Sequence, residues 1–123
     1  MLKYGYARVS TPEQDHVGQV DALKATGVVK VFSEKISGAR ADRPQLARAI
    51  AALDHGDVFA VVRIDRLARS SRDLLNIVHE IEANGATFES LTEPWANTNT
   101  PQASPMLTML SAFAQLERSF ILA

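Results

Sequence analysis

The chain has 123 residues with 13 basic and 14 acidic side chains, a formal net charge of −1 and no cysteine. This length predicts one domain that buries roughly two-thirds of its unfolded surface, and the absence of cysteine excludes disulfides and thiolate zinc sites. No apolar run reaches the roughly 18 residues of a membrane span and no signal peptide begins the chain, so we expect a cytoplasmic protein.

The N-terminal part of the chain predicts a strand followed by a helix. The strand covers 2–9, where side chains alternate between two faces with the two-residue period of a strand. Thr11 as the N-cap, Pro12 at the first helical position and Gln14 in a capping box predict the start of the helix. Gly27, a residue type favoured just after the last helical turn, predicts its end.

A second strand and a second helix follow. The apolar segment after Gly27 predicts a strand over 28–34. Beyond a polar loop, Asp42 with Gln45 resembles a capping box and predicts a helix over 43–54. The chain therefore continues the alternation of strand and helix.

The rest of the chain repeats this alternation. The segment 57–64 is apolar on both faces, as expected of a central parallel strand. Periodic apolar residues predict a helix near 71–83, and a strand follows over 86–91. After a long loop, Ser104 and Pro105 cap a last predicted helix that runs to the end of the chain.

Strands that alternate with helices indicate an α/β fold, with a mostly parallel sheet of four to five strands and flanking helices. The chemistry of such sheets gathers at the carboxyl ends of the strands. Polar side chains follow every predicted strand, so we expect them to converge on one edge. They are Arg8, Ser10, Ser37, Asp65, Arg66, Arg69 and Glu93.

A serine among arginines and a carboxylate suits attack on a phosphodiester. The serine oxygen would form a covalent phosphoseryl intermediate, and the arginine forks would neutralise charge on the phosphoryl oxygens. Asp65 could orient an arginine or pass a proton to the leaving oxygen. Taken singly, Arg8 could form a structural ion pair with Glu34 or Asp65, and Ser10 could cap a helix. Their convergence on one edge favours the catalytic interpretation.

Four blocks of sequence resemble serine site-specific recombinases, the resolvase/invertase family. They are YARVST (6–11), SGARADRPQL (37–46), DRLARSSRDLL (65–75) and LERSFI (116–121), and the similarity spans essentially all 123 residues. The resemblance implies a resolvase-like catalytic domain over 1–123 with a long C-terminal dimerisation helix. In the family a separate DNA-binding domain follows, which we expect to be absent here, so that the chain is a fragment.

The resemblance also implies roles for individual residues. Ser10 is expected to be the nucleophile, joining a 5′ phosphate and freeing a 3′ hydroxyl, with Asp65 as the candidate proton donor. The arginines expected around the phosphate are Arg8, Arg43, Arg66 and Arg69, and the supporting polar positions are Tyr6, Gln14, Gln19, Ser37 and Arg118. The phosphoseryl bond conserves the energy of the broken strand, so we expect rejoining to need no ATP. We expect no metal or other cofactor, because the arginines supply the charge.

The last predicted helix carries a broad apolar stripe, formed by Met106, Met109, Leu110, Phe113, Leu116 and Phe120. A helix packed on its own sheet explains part of such a stripe, and a stripe this wide usually needs a second partner. The resemblance implies a dimer interface here, including Glu117. The expected partners are duplex DNA, a second copy in a homodimer and a tetramer at synapsis. The alternative is a non-catalytic truncated module that pairs with full-length recombinase subunits.

Overall fold

The computed structural model describes residues 1–9, 13–35, 43–68 and 70–98, together with residues 109 and 112. Within these ranges four strands form one parallel sheet in the spatial order β2-β1-β3-β4. They are β1 (Lys3–Val9), β2 (Lys30–Lys35), β3 (Val58–Val61) and β4 (Thr87–Ser90). The parallel pairing confirms the predicted α/β fold, with β1 and β3 at the centre of the sheet.

In the described part of the chain, three α-helices lie between the strands, namely α1 (Glu13–Lys24), α2 (Pro44–Ala51) and α3 (Ser71–Ala83). None of the helices in the described ranges is long and apolar enough to cross a membrane. Residues 109 and 112 are helical, and the remainder of the predicted C-terminal helix lies outside the described residues.

The bounds of α3 are those expected from the sequence. The Ser70 side chain accepts a hydrogen bond from the backbone N–H of Asp73, which satisfies one of the free donors of the first turn. Gly85 follows the last turn with a φ of +78°, a conformation that glycine adopts without steric cost. Both ends of this helix are therefore set by local residues.

The strand predicted over 57–64 is shorter in the structure. It ends at Val61, and the chain then forms a single 3-10 turn over Ile64–Arg66. The backbone N–H of Arg66 donates to the carbonyl of Arg63 across 3.1 Å, so this turn leaves the direction of the strand. The turn presents Asp65 and Arg66 just beyond the carboxyl edge of the sheet.

Several further boundaries differ from the prediction, those of β2 and α2 among them. β2 begins at Lys30 instead of residue 28, because the two valines after Gly27 form the link from α1 to the sheet. α2 spans Pro44–Ala51 instead of 43–54, and its N-cap is Arg43. Asp42 lies outside the described residues, so the capping box that the sequence suggested stays a prediction.

The sheet separates two apolar clusters. Tyr6, Phe59 and Phe88 stack across β1, β3 and β4 with ring centroids 6.1 and 6.5 Å apart, and α2 and α3 cover this face. On the other face Ala7 and Ala60 pack against Leu23 of α1. The predicted alternation along β1 is therefore confirmed, and it directs Arg8 toward the same side as Tyr6.

Asp57 organises the amino edge of the sheet, opposite the expected site. Its carboxylate accepts from the backbone N–H of Leu2 and from that of Asp54, each across 2.9 Å. These two bonds favour the charged form and hold the pKa of the Asp57 carboxyl below its ordinary value. The carboxylate thus joins the start of β1 to the turn that precedes β3.

Candidate active site

The end of β1 is held by a side chain from α1. The pairing of β3 with β1 ends at Tyr6, opposite Val61, and β1 continues beyond it. There Gln19, which is buried, donates from Nε2 to the carbonyl of Arg8 across 3.1 Å and accepts at Oε1 from the N–H of Arg8 across 3.3 Å. Gln19 therefore satisfies both backbone groups of Arg8, two positions before Ser10.

The Arg8 side chain joins β1 to the 3-10 turn. Its Nη2 donates to the backbone carbonyl of Asp65 across 2.6 Å. The Asp65 carboxylate lies 3.4 Å from Nε of Arg63, and both of these side chains are largely exposed. The sequence allowed an ion pair between Arg8 and the carboxylate of Asp65. In the structure Arg8 bonds the backbone carbonyl of Asp65, and the carboxylate faces solvent and Arg63.

A buried polar pair lies beneath the site. The hydroxyl of Tyr6, which is fully buried, donates to Oε2 of Glu34 across 2.6 Å, and Glu34 itself is 4% exposed. Burial raises the pKa of the Tyr6 phenol well above its ordinary value, and the adjacent carboxylate raises it further. Tyr6 is therefore a neutral hydrogen-bond donor that fixes Glu34 in the interior.

The same carboxylate caps α2. Oε1 of Glu34 accepts from the N–H of Gln45 across 3.0 Å, and Oε2 accepts from the N–H of Leu46 across 3.3 Å. The first amides of a helix lack partners within the helix, and a negative charge is favourable at this end. Sequence reasoning missed this role. The signal available was the position of Glu34 on the same face of β2 as Phe32, which turns its side chain toward the interior.

Arg43 extends from the N-cap of α2 toward α3. Its Nη2 donates to both carboxylate oxygens of Asp73, at 2.9 and 3.0 Å, and its Nη1 donates to the carbonyl of Leu67. The side chain is 11% exposed, so the guanidinium is largely enclosed by these partners. Arg43 thus fixes the end of the turn that begins at Ile64.

Glu93 holds the beginning of that turn. It lies just after β4, and its Oε1 accepts from the N–H of Ile64 across 2.6 Å. The hydroxyl of Ser90 donates to the same oxygen across 3.0 Å. Sequence reasoning placed Glu93 at the carboxyl edge but assigned it no role.

The structure brings part of the predicted site together. Arg8 and Arg43 both contact the backbone of 65–67, and Arg66, which is half-buried, lies within that segment. Gln14 lies in the first turn of α1. The remaining predicted catalytic and supporting residues lie outside the described part of the chain, namely Ser10, Ser37, Arg69 and Arg118.

The predicted dimer interface falls largely beyond the described ranges. Met109 is described, and it is 53% exposed. The other members of the stripe, and Glu117 with them, lie outside the described residues, namely Met106, Leu110, Phe113, Leu116, Glu117 and Phe120. The proposed contacts of this segment therefore stay predictions.

The described side chains form a cationic edge. Arg8 and Arg43 contact one short turn at the carboxyl end of β3, and Arg66 is part of that turn. Guanidinium groups bind phosphate oxygens through paired, directional hydrogen bonds. Such an edge can hold a phosphodiester next to the chain that follows β1.

Comparison with known proteins gives consistent matches. The family model for the resolvase N-terminal domain matches residues 3–123. A probable DNA-invertase of Sinorhizobium fredii is 47% identical over 117 residues, which cover 95% of this chain and 38% of the relative. The serine recombinase Gin of Escherichia phage Mu is 39% identical over 118 residues, which cover 96% of this chain and 61% of the relative. This chain thus spans between about two-fifths and three-fifths of the length of these two relatives.

A solved structure matches over the whole domain. The crystal structure of the N-terminal catalytic domain of TP901-1 integrase superposes with a TM-score of 0.75 at 32% sequence identity. The match covers 98% of each chain. Both sequence and fold therefore point to the same family.

Proposed function

This chain belongs to the family of resolvase N-terminal domains, and on this premise we propose that it is the catalytic domain of a site-specific DNA recombinase. It cleaves and rejoins duplex DNA through a covalent bond between Ser10 and a 5′ phosphate. The names of its relatives, a DNA-invertase and a serine recombinase, support this proposal.

In the proposed reaction the Ser10 oxygen attacks the scissile phosphorus. The new bond joins Oγ to phosphorus, the bond from phosphorus to the 3′ oxygen breaks, and the 3′ oxygen leaves. The hydroxyl proton passes to a base, and the leaving oxygen takes up a proton, for which Asp65 is the candidate donor. In rejoining, a 3′ hydroxyl attacks the phosphoserine. Each step exchanges one phosphate ester for another, so nucleotide hydrolysis is not required.

The arginines supply the charge that this reaction needs. Negative charge grows on the phosphoryl oxygens in the transition state, and fixed guanidinium groups stabilise it. Arg8 and Arg66 have described side chains at the carboxyl edge, and Arg69 lies three positions after Arg66 in the sequence. Arg43 has a more indirect position, since its guanidinium is engaged by Asp73 and by the carbonyl of Leu67.

The observation that carries the proposal is the anchoring of Arg8. Gln19 holds its backbone, and its guanidinium reaches the turn that presents Asp65 and Arg66. The chain toward Ser10 therefore leaves β1 from a rigid position at the cationic edge. A nucleophile that acts without a metal depends on such positioning, because small displacements of the reacting atoms are costly.

We further propose that this domain acts as an assembly on DNA. The apolar positions of the predicted last helix would pair two copies on duplex DNA, and two such dimers would form the tetramer in which strands exchange. Met109, whose side chain is 53% exposed, is available for such a contact.

The test is covalent capture of the phosphoserine intermediate. The whole chain is fused to a DNA-binding domain of known sequence preference and incubated with a matched site in which one DNA strand is interrupted. We expect an adduct that survives denaturation and carries the DNA by its 5′ end. Ser10→Ala abolishes this adduct, whereas Ser33→Ala, at an exposed serine of β2, retains it.

Two outcomes would contradict the proposal. An adduct that persists in Ser10→Ala would show that another residue is the nucleophile. If the fusion binds its site and pairs with a second copy, yet forms no adduct, the non-catalytic pairing module becomes the better hypothesis.

A further inference from the structure

Glu93 contacts the segment that presents two of the proposed site residues. Its Oε1 accepts from the N–H of Ile64 across 2.6 Å and from the hydroxyl of Ser90 across 3.0 Å. Ile64 is the first residue of the 3-10 turn that carries Asp65 and Arg66. A side chain 29 positions along the chain therefore holds the entry to this turn.

The contact replaces a local cap. The first amides of a helical turn lack acceptors within the turn, and Arg63, the N-cap residue, makes no side-chain cap bond here. The Glu93 carboxylate supplies the acceptor, and hydrogen bonds to a carboxylate are shorter and stronger than those between neutral groups. Ser90, which is buried, orients the carboxylate from the end of β4.

The backbone from Val61 to Leu67 is held at successive points. The N–H groups of Leu91 and Thr92 donate to the carbonyls of Val61 and Val62, at 2.9 and 3.1 Å. After Ile64, two arginine side chains hold the segment. Arg8 donates to the carbonyl of Asp65, and Arg43 donates to the carbonyl of Leu67.

The sign of the charge distinguishes Glu93 from those arginines. A guanidinium is attracted to a phosphate and can move donors from a backbone carbonyl to the phosphate oxygens, because both groups are acceptors. A carboxylate is repelled by a phosphate and only accepts hydrogen bonds, so a phosphate cannot replace the Ile64 N–H as the partner of Glu93. The turn then keeps one fixed end while its arginine contacts change.

We propose that Glu93 is a positioning residue for DNA cleavage, which anchors the 64–66 turn while Arg8 exchanges its contact with the Asp65 carbonyl for the scissile phosphate. This inference rests on the recombinase function proposed above. Glu93 acts through the backbone of Ile64 and does not itself touch DNA.

The experiment compares Glu93→Ala and Glu93→Gln with a matched control, Glu89→Ala. Glu89 is a carboxylate of β4 that pairs with Lys3 across 3.2 Å on the other side of the sheet. Two quantities are measured, the amide hydrogen exchange of Ile64 in the free chain and the rate of adduct formation at saturating DNA in the fusion protein. DNA affinity is measured in parallel.

We expect Glu93→Ala to accelerate exchange at Ile64 at least about tenfold and to slow adduct formation by about 10- to 100-fold, with DNA affinity unchanged within about twofold. Glu93→Gln keeps an oxygen acceptor without the charge, so we expect both of its rates to lie between those of the wild type and the alanine variant. Glu89→Ala leaves both rates unchanged. If Glu93→Ala does not fold, Glu93→Asp takes its place in the experiment. Its side chain is one methylene shorter and withdraws the carboxylate from Ile64, so we expect the same changes in the exchange rate and in the rate of adduct formation.

Three results would overturn the inference. These are unchanged exchange at Ile64 in a folded Glu93→Ala protein, faster exchange with an unaltered rate of adduct formation, and a Glu93→Gln protein as slow as the alanine variant. A wild-type fusion that forms no adduct would count against the recombinase function alone, since the exchange of Ile64 still decides whether Glu93 anchors the turn.

Discussion

At the scale of single residues, Gln19 acts in place of a neighbouring strand. β3 stops pairing with β1 at Tyr6, and the amide of Gln19 then bonds both backbone groups of Arg8. A primary amide has an N–H donor beside a carbonyl acceptor in the same plane, so it can match a peptide unit at a strand edge. This arrangement fixes the position from which the chain continues to Ser10.

Replacing Gln19 by alanine tests this role. Both backbone groups of Arg8 lose their partner, so we expect Gln19→Ala to lower the free energy of unfolding by about 1–3 kcal/mol. The adduct formed by the fusion protein should also appear more slowly, because the end of β1 loses its fixed position. Denaturant unfolding and the adduct assay measure the two effects.

Gln45→Ala is the matched control for this prediction. Gln45 lies in α2 and contributes its backbone N–H, not its amide, to the described contact with Glu34. We expect a change within about 0.5 kcal/mol. Equal effects of the two substitutions would argue that the Gln19 bonds contribute nothing specific.

At the scale of elements, α2 depends on a carboxylate from β2. Glu34 accepts from the amides of Gln45 and Leu46 and from the hydroxyl of Tyr6, so one buried group joins two strands to the start of the helix. A buried carboxylate is tolerated only when hydrogen bonds replace its hydration. The three donors meet this requirement and make the cap part of the core.

At this scale we predict that Glu34→Ala lowers the free energy of unfolding more than Tyr6→Phe does. Glu34→Ala leaves three donors without an acceptor, and we expect the free energy of unfolding to fall by about 2–4 kcal/mol. Tyr6→Phe removes one donor and leaves α2 capped, so its cost is about 1 kcal/mol. Denaturant unfolding of both variants, beside Glu80→Ala on the exposed face of α3, measures the order. A Tyr6→Phe variant less stable than Glu34→Ala would contradict the capping role.

At the scale of the whole molecule, one ion pair connects the helices to the carboxyl edge. Arg43 at the N-cap of α2 bonds Asp73 in the first turn of α3, and it also holds the carbonyl of Leu67. Its side chain is 11% exposed, so water screens the interaction with the carboxylate weakly. The pair therefore ties together three segments that are distant in the sequence.

A double-mutant cycle measures this connection. From Arg43→Ala, Asp73→Ala and the double variant we expect a coupling free energy of about 1–3 kcal/mol. Arg63 and Asp65 form an exposed pair with a nitrogen–oxygen distance of 3.4 Å, and they serve as the control. The coupling of that pair should be about 0.5 kcal/mol or less. Similar couplings in the two cycles would show that burial of the Arg43 pair adds no stability.

The sequence predicted features that depend on neighbouring residues better than features that depend on residues far apart in the chain. The bounds of α3 follow from Ser70 and Gly85, which lie next to the helix in the chain. The end of β3 was predicted wrongly, because the strand stops at Val61 and the turn that begins at Ile64 is bonded to Glu93, which lies far along the chain. Patterns among neighbouring residues cannot predict a hydrogen bond to a residue so far along the chain.

The sequence by itself determined the parallel α/β fold and the edge at which polar residues gather, since hydrophobic periodicity and helix caps act between near neighbours in the chain. It also carried the motifs that identify the family. Only the tertiary structure decided which polar groups meet. Glutamine, glutamate and arginine side chains each have many chemically equivalent partners, and the choice follows from how the elements pack. The pairs chosen in this way are Gln19 with Arg8, Glu34 with Tyr6, Arg43 with Asp73, and Glu93 with Ile64.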